Sequence, residues 1–403
     1  MIIGVILRNF KNFKNQHYIP LTLNNKSSWL IGENGVGKSS ILQALDIVLN
    51  KTDINRLDIN NEARSQGFDT REPFIVPIYL INKNKLKINN SLYKALEIVS
   101  DITWQIESDV FNTLQRPIAE KFISHRKQLE YKYSSDEYLL IPLGIIKETA
   151  NDIPRPYMSI FESIDDYRLQ IDDLANENSS TNNKKYHFNN ILPKLLITIK
   201  DIYNYIYLPA EITTSEYSRI ESDLLQSLLG ENLQQKISKI IKKKDITAIN
   251  SHLNDFIRQL TTKLEGRYQF KKPSQRQNSF TQRHMISKII ESYFSDKILH
   301  HIDDVNKETP VQNLSSGEKR KALLDLATNF LKHNPQKSQH STILAVDEPE
   351  LSLHATSCFN QFDKIKKISD LGIQTICTTH WYGFLPVTGS GTAIYISPSQ
   401  TYI

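Results

Sequence analysis

Eight residues constrain this chain more than any others. Positions 32–39 read GENGVGKS, which fits the spacing G-x-x-x-x-G-K-[ST] with Gly32, Gly37, Lys38 and Ser39. The apolar run Trp29, Leu30 and Ile31 leads in as a strand, and a helix with Ile41, Leu42, Leu45 and Val48 on one side leads out from Lys38. A glycine-rich bend between strand and helix lets backbone N–H groups and the helix N-terminus wrap a phosphate. The expected nucleotide-binding set is therefore Gly32, Glu33, Asn34, Gly35, Val36, Gly37, Lys38, Ser39 and Ser40. Lys38 would neutralise the β- and γ-phosphates of ATP and take part in catalysis, and the Ser39 hydroxyl would ligate Mg²⁺. Glycine averages about 7 % of residues, and this chain has only 13 in 403. A chance match is then on the order of one in a hundred.

A second run supplies the acids such a site needs. ILAVDE at 343–348 reads as a buried strand that delivers Asp347 to the C-terminal edge of a sheet. There Asp347 can hold Mg²⁺, and Glu348 can polarise the attacking water as general base. Further strands are expected at Ile2–Leu7, Ser28–Ile31, Phe74–Ile81, Ile102–Ile106, Thr375–Thr379 and Thr392–Ile396. Strands alternating with helices imply an α/β fold with a largely parallel sheet. Between them the chain turns helical. Ile220, Leu224, Leu225, Leu228 and Leu229 recur at helical spacing before Gly230, and Ile246, Ile249, Leu253, Phe256, Ile257 and Leu260 form a second stripe ending near Gly266. Both stripes are expected to be helix-packing faces. The organisation expected is an N-terminal ATPase lobe at 1–110, a mostly helical insertion or arm at 111–304, and a C-terminal lobe at 305–403.

Composition narrows the setting. A hydrophobic fraction of 39 % with 23 % charged residues excludes wholesale disorder. No apolar run approaches the roughly 18 to 20 residues that span a bilayer, so no membrane partner is expected. Ile2 to Leu7 is too short for a signal peptide's apolar region. With two cysteines, Cys358 and Cys377, a cytoplasmic, reduced protein is the expectation. The net charge, 49 − 44 = +5, discriminates little, but its distribution is uneven. Residues 236–288 carry thirteen Lys or Arg against three acids, whereas 162–177 carry six acids and one Arg. The basic stretch is a candidate contact for DNA, the plain alternative being a solvated helical face.

Residues 314–321, LSSGEKRK, resemble the signature motif of ABC-type ATPases, in the form used by the RecF, SMC and OLD branch. The run's Gly317 lies 347 − 317 = 30 residues before Asp347. The resemblance implies that Ser315 and Gly317 bind the γ-phosphate in trans, on ATP held by a second subunit. PELSLH at 349–354 is similar to that branch's D-loop, although Ala355 stands where proline is common. CTTH ends in His380, which resembles the switch histidine that contacts the γ-phosphate and is counted as catalytic by that resemblance. RNFKNFKNQ near the start and YLPAE at 207–211 match the same branch. Gln66 and Gln105 both stand as candidates for the Q-loop glutamine.

What the resemblance implies is an ATP- and Mg²⁺-dependent ATPase that acts as a homodimer or higher homo-oligomer. OLD proteins append a Toprim nuclease, but only 403 − 380 = 23 residues follow His380 here, and no HNH-type pattern is present. The expectation is a sensor or regulator that controls a separate effector nuclease of Toprim or HNH type. That arrangement is similar to the ATPase subunits of antiphage systems, the PARIS type first and the Septu type second. A RecF-like DNA-binding ATPase of repair or recombination is the alternative. A transporter subunit is disfavoured by the helical insert and by the LSSGE and DEPELSLH forms.

Overall fold

The computed structural model describes residues 1–23, 26–50, 57, 59–62, 72–86, 90–111, 113, 115–147, 154–159, 184–212, 217, 237–263, 282–295, 299–302, 306–333, 341–351, 353–389 and 391–397. The chain divides into two compact units, Met1–Glu211 with Asn334–Ile403, and Ile212–His333.

The first unit holds two five-stranded sheets. One is antiparallel, in the order β2 (Phe13–Pro20), β1 (Ile2–Phe10), β4 (Phe74–Asn82), β5 (Tyr138–Ile146) and β6 (Arg155–Met158). The other is parallel, in the order β12 (Thr392–Tyr395), β3 (Ser27–Ile31), β11 (Gln374–Thr379), β10 (Ser341–Asp347) and β7 (Tyr203–Leu208). Helix α1 (Lys38–Leu49) buries Ile41, Leu42, Leu45 and Val48, the side legible in its spacing, within a core shared with both sheets. Strands β1 and β10 are near-continuous apolar runs because both of their faces are covered, and all nine residues of β1 are buried.

Three expectations need correction. The sheet content is not largely parallel, since an entire antiparallel sheet accompanies the parallel one. Residues 102–106 form no strand. Ile102 to Gln105 end helix α2 (Asn90–Gln105), in which Leu96, Val99 and Thr103 are buried at helical spacing. The stretch 111–304 is also less helical than expected: beside helices α3 (Arg116–Glu130) and α4 (Lys184–Ile202) it contributes β5, β6 and β7 to the two sheets.

A buried polar bond ties α3 to the hairpin of β1 and β2. Tyr18 Oη donates to His125 Nδ1 at 2.5 Å, and His125 Nε2 donates to the Thr22 carbonyl at 2.5 Å. Burial holds the imidazole neutral and lowers its pKa to about 4. A histidine with a depressed folded-state pKa leaves stability intact above its unfolded value. As the pH falls from about 6.5 to 4, the unfolded chain takes up the proton and the folded chain does not, so stability is lost across that window. We expect this site to cost about 3 kcal/mol of stability by pH 4. Thermal melts should show His125→Gln shallower in its acid dependence between those limits. Melts parallel to wild type there would refute the assignment.

The second unit holds helices α5 (Lys243–Lys263) and α6 (Gln282–Ser295), and the Gln282 side chain at the start of α6 donates from Nε2 to the carbonyls of Ser238 and Ile241, in the segment just before α5. A hairpin of β8 (His300–Ile302) and β9 (Glu308–Pro310) precedes helix α7 (Ser316–His333). The expected stripe on α5 forms as a helix, yet among its described side chains only Ile246 is buried. Ile249, Leu253, Phe256 and Ile257 are exposed, so this face is largely open to solvent. The Ile220–Leu229 stripe and Gly266 lie outside the described residues. Helices α8 (Ala355–Asp370) and α9 (Leu385–Thr388) complete the described elements. Among the described residues no helix is long and apolar enough to cross a membrane.

Candidate nucleotide site

Strand β3 ends at Ile31 and the chain turns through Gly32–Gly37 into α1. Gly32, Gly35 and Gly37 all have positive φ, at 148°, 78° and 102°. At Gly32 no side chain fits in any case, because a Cβ there would come 2.3 Å from the Ile396 carbonyl oxygen. The loop can therefore turn its amides toward one point, with the N-terminus of α1 behind them. Lys38 is 3 % exposed, and its Nζ donates to the carbonyls of Gly32 at 2.9 Å and Glu33 at 2.8 Å. An ammonium has three donors, so these bonds fix the lysine while leaving one N–H for a phosphate. The tip of the β1–β2 hairpin braces the loop: Asn12 Nδ2 donates to the Gly35 carbonyl at 2.7 Å, and its Oδ1 accepts from the Ser40 hydroxyl at 3.1 Å. Asn34 and Val36 occupy the loop's turns and Ser40 lies buried in α1.

The strand order explains how distant residues meet. Strand β11 runs between β3 and β10, all three parallel. Their C-terminal ends thus present the loop, His380, and the Asp347–Glu348 pair side by side, where open α/β sheets place ligands. Ser39 Oγ donates to Asp347 Oδ1 at 2.8 Å across 308 residues of sequence. The same Oδ1 accepts from the Thr378 hydroxyl at 2.5 Å, and Oδ2 accepts from Tyr207 Oη at 3.3 Å. A hydroxyl and a carboxylate in contact are hard oxygen donors of the kind Mg²⁺ takes together with phosphate oxygens. Among the described residues no group of three His, Cys, Asp or Glu side chains could hold a metal alone; Mg²⁺ commonly takes one or two protein oxygens and fills the rest of its shell with phosphate oxygens and water.

Glu348 sits in left-handed backbone, φ 44°, which is uncommon for a side chain of its size. Its N–H donates to the Thr378 hydroxyl at 2.9 Å, locking the turn. Burial raises its carboxyl pKa, and the negative charge of Asp347 raises it further; His380 and Lys38 act in the opposite sense. His380 Nδ1 lies 3.8 Å from Glu348 Oε1.

Lys38, Ser39, Asp347, Glu348 and His380 therefore belong to one cluster. Ser315 and Gly317 belong to the second unit. There Ser315 is exposed and Gly317 buried. The Ser315 hydroxyl and N–H both donate to Glu318 Oε2, at 2.6 and 3.0 Å, a capping box that holds the Glu318 carboxyl below its ordinary range. Of the two candidate Q-loop residues, Gln66 lies outside the described residues and Gln105 is exposed at the end of α2. Sequence reasoning missed Asn12, Tyr207 and Thr378. The last two lie in the YLPAE and CTTH runs, which gave them no role of their own; it is register that brings them to Asp347: Thr378 pairs directly opposite it, and Leu208 pairs with Val346.

A glycine loop between strand and helix, with its serine bonded to an aspartate two strands away, defines a P-loop nucleotide-hydrolysing ATPase. Residues 1–382 match the model of the AAA ATPase domain, and the chain belongs to that family. It is an ATPase. No curated protein matches the chain. Among solved structures it is similar to an SMC head bound to the C-winged helix domain of ScpA, at 12 % identity, covering 98 % of this chain and 94 % of that one, TM-score 0.39. The SMC head domain from Thermotoga maritima gives 12 % identity, 96 % and 91 % coverage and a TM-score of 0.33. The Smc head with an extended coiled coil from Pyrococcus furiosus, bound to the C-terminal domain of ScpA, gives 13 %, 96 % and 90 %, and 0.36. The strand order, the glycine loop and the family match define the class.

Proposed function

We propose that the chain hydrolyses ATP through the cluster at the ends of β3, β10 and β11 and is active only as a homodimer or larger homo-oligomer. The Ser39–Asp347 bond carries the catalytic half of this reading. On it, the Gly32–Ser40 loop and Lys38 bind the triphosphate, and Ser39 and Asp347 hold Mg²⁺, which neutralises charge on the phosphates when bound. Glu348 takes the proton of the attacking water, and His380 contacts the γ-phosphate. Supporting the oligomeric half, the sequence has one P-loop and one LSSGE run, and Ser315 and Gly317 belong to the other compact unit. They would bind ATP held by a second copy once Glu318 gives up the Ser315 hydroxyl. A ligand bound across two copies strengthens their association by mass action, and a self-complementary pairing closes with two-fold symmetry.

Mixing a Lys38→Ala chain with a Ser315→Arg chain, each inactive alone, should restore ATPase activity. One composite site would pair an intact loop with an intact signature. If mixed oligomers form and the mixture stays inactive, the trans arrangement is wrong. For the biological role we favour a sensor or regulator of a separate effector nuclease in bacterial antiphage defence; a Toprim or HNH gene beside this one would support it, and replication genes there would point to repair. The RecF-like alternative draws on the basic stretch, where Lys239, Lys242, Lys244, Arg258 and Lys288 are exposed. Direct duplex binding would show as affinity falling with salt, with a slope of about −0.9 per neutralised phosphate. Binding unaffected by changing Lys242, Lys243 and Lys244 to Glu would mark the run as a solvated face.

A further inference from the structure

One carboxylate at the site has no part in the chemistry above. Glu350 lies three residues beyond Asp347, in the turn after β10, and is 8 % exposed. Its Oε1 accepts from the Thr379 hydroxyl at 2.6 Å and from the His380 backbone N–H at 3.1 Å. The same oxygen lies 3.3 Å from His380 Nδ1. Its Oε2 has no partner among the described residues. Burying a half-paired carboxylate is costly in any fold, and all three groups near its other oxygen belong to Thr379 and His380. Glu350 therefore bonds to the end of β11 at the point where that strand presents the histidine.

We propose that Glu350 is the positioning residue for His380. It holds the backbone at the strand end, and it draws the Nδ1 edge of the ring toward the carboxylates so that Nε2 is left for a phosphate oxygen. Carboxylate oxygens accept and do not donate, so Glu350 and Glu348 together favour a proton on Nδ1, and donation from Nε2 to phosphate then requires the doubly protonated ring, in which both nitrogens donate. A free ring at a strand terminus could rotate, and each rotation would remove the phosphate contact. Glu350 restricts that freedom before nucleotide arrives, which is how a supporting residue raises the effectiveness of a catalytic one. The inference rests on the reading of His380 as the γ-phosphate contact.

A double-mutant cycle on the full chain separates the two claims. His380→Ala should lower kcat by about tenfold to a hundredfold, the range that one charge-assisted hydrogen bond supplies. Glu350→Ala should lower kcat nearly as far while the affinity for ATP, measured by calorimetry, changes less than about twofold. Glu350→Gln keeps an acceptor for Thr379 and for the His380 N–H, and should recover most of the loss. In the His380→Ala background, Glu350→Ala should cost nothing further, since residues that act as a unit are not additive. Multiplying losses would overturn the positioning role and leave His380 in place. An unchanged kcat in His380→Ala would overturn the phosphate contact itself. Should Glu350→Ala fail to fold, the same cycle is run with Glu350→Gln, whose smaller loss must likewise vanish in the His380→Ala background.

Discussion

Lys38→Ala should lose ATP binding in a calorimetric titration. The lysine is buried to 3 % exposure and held by the carbonyls of Gly32 and Glu33, so it sits ready for a phosphate at no further ordering cost. Each hydrogen bond to a charged group contributes about 1.5–3 kcal/mol. The one N–H that these carbonyls leave for phosphate would then account for about one to two orders of magnitude in affinity. Alanine also leaves two loop carbonyls without their donor, which loosens the turn that aims the amides. Lys11, at the tip of the β1–β2 hairpin, is committed to Gln43 Oε1. Affinity within about tenfold of wild type would refute the loop's role.

Glu348→Gln should retain ATP binding and lose hydrolysis. The amide fits the same left-handed turn, whose N–H still donates to Thr378, but it cannot accept the water's proton. General bases contribute typically about 10² to 10⁴, so turnover within about tenfold of wild type would exclude Glu348 as the base. Two further readouts follow from its raised pKa, which burial and Asp347 cause. Wild-type turnover should fall on the acid side at a pH above the ordinary glutamate range of about 4.3. In the absence of nucleotide Glu348→Gln should also melt higher than wild type at neutral pH. The sign follows from linkage: a carboxyl whose folded pKa is raised is uncomfortable when ionised, so it opposes folding above that pKa and ceases to do so as the pH falls below its unfolded value. The gain should therefore vanish near pH 4. A variant that is less stable than wild type at neutral pH would show that the turn needs the charge.

The chemistry-bearing residues were readable in the sequence because each belongs to a short local pattern. Gly32, Gly37, Lys38 and Ser39 lie within eight positions, and Asp347 and Glu348 end a buried run of apolar residues. Loop backbone and strand burial are local consequences of local sequence, so the strand–loop–helix unit and the acidic strand end follow from it directly. The α2 helix was misread at Ile102–Ile106 because a short apolar run has no period long enough to tell strand from helix. Its helical stripe becomes visible only when Leu96 and Val99 are included.

What tertiary structure alone decided is which residues stand beside those patterns. Interposing β11 between β3 and β10 brings Ser39 to Asp347 and sets His380 between the loop and the acids. Strand register then assigns Thr378 and Tyr207 to Asp347, and the turn after β10 assigns Glu350 to the backbone of His380. A run of apolar residues in the sequence says that a strand is buried, and it leaves its neighbours open. Neighbours are chosen by hydrogen bonding along the strands and by side-chain packing between layers, both of which join residues hundreds of positions apart. The residues were written locally, and their partners were set by the order of the sheet.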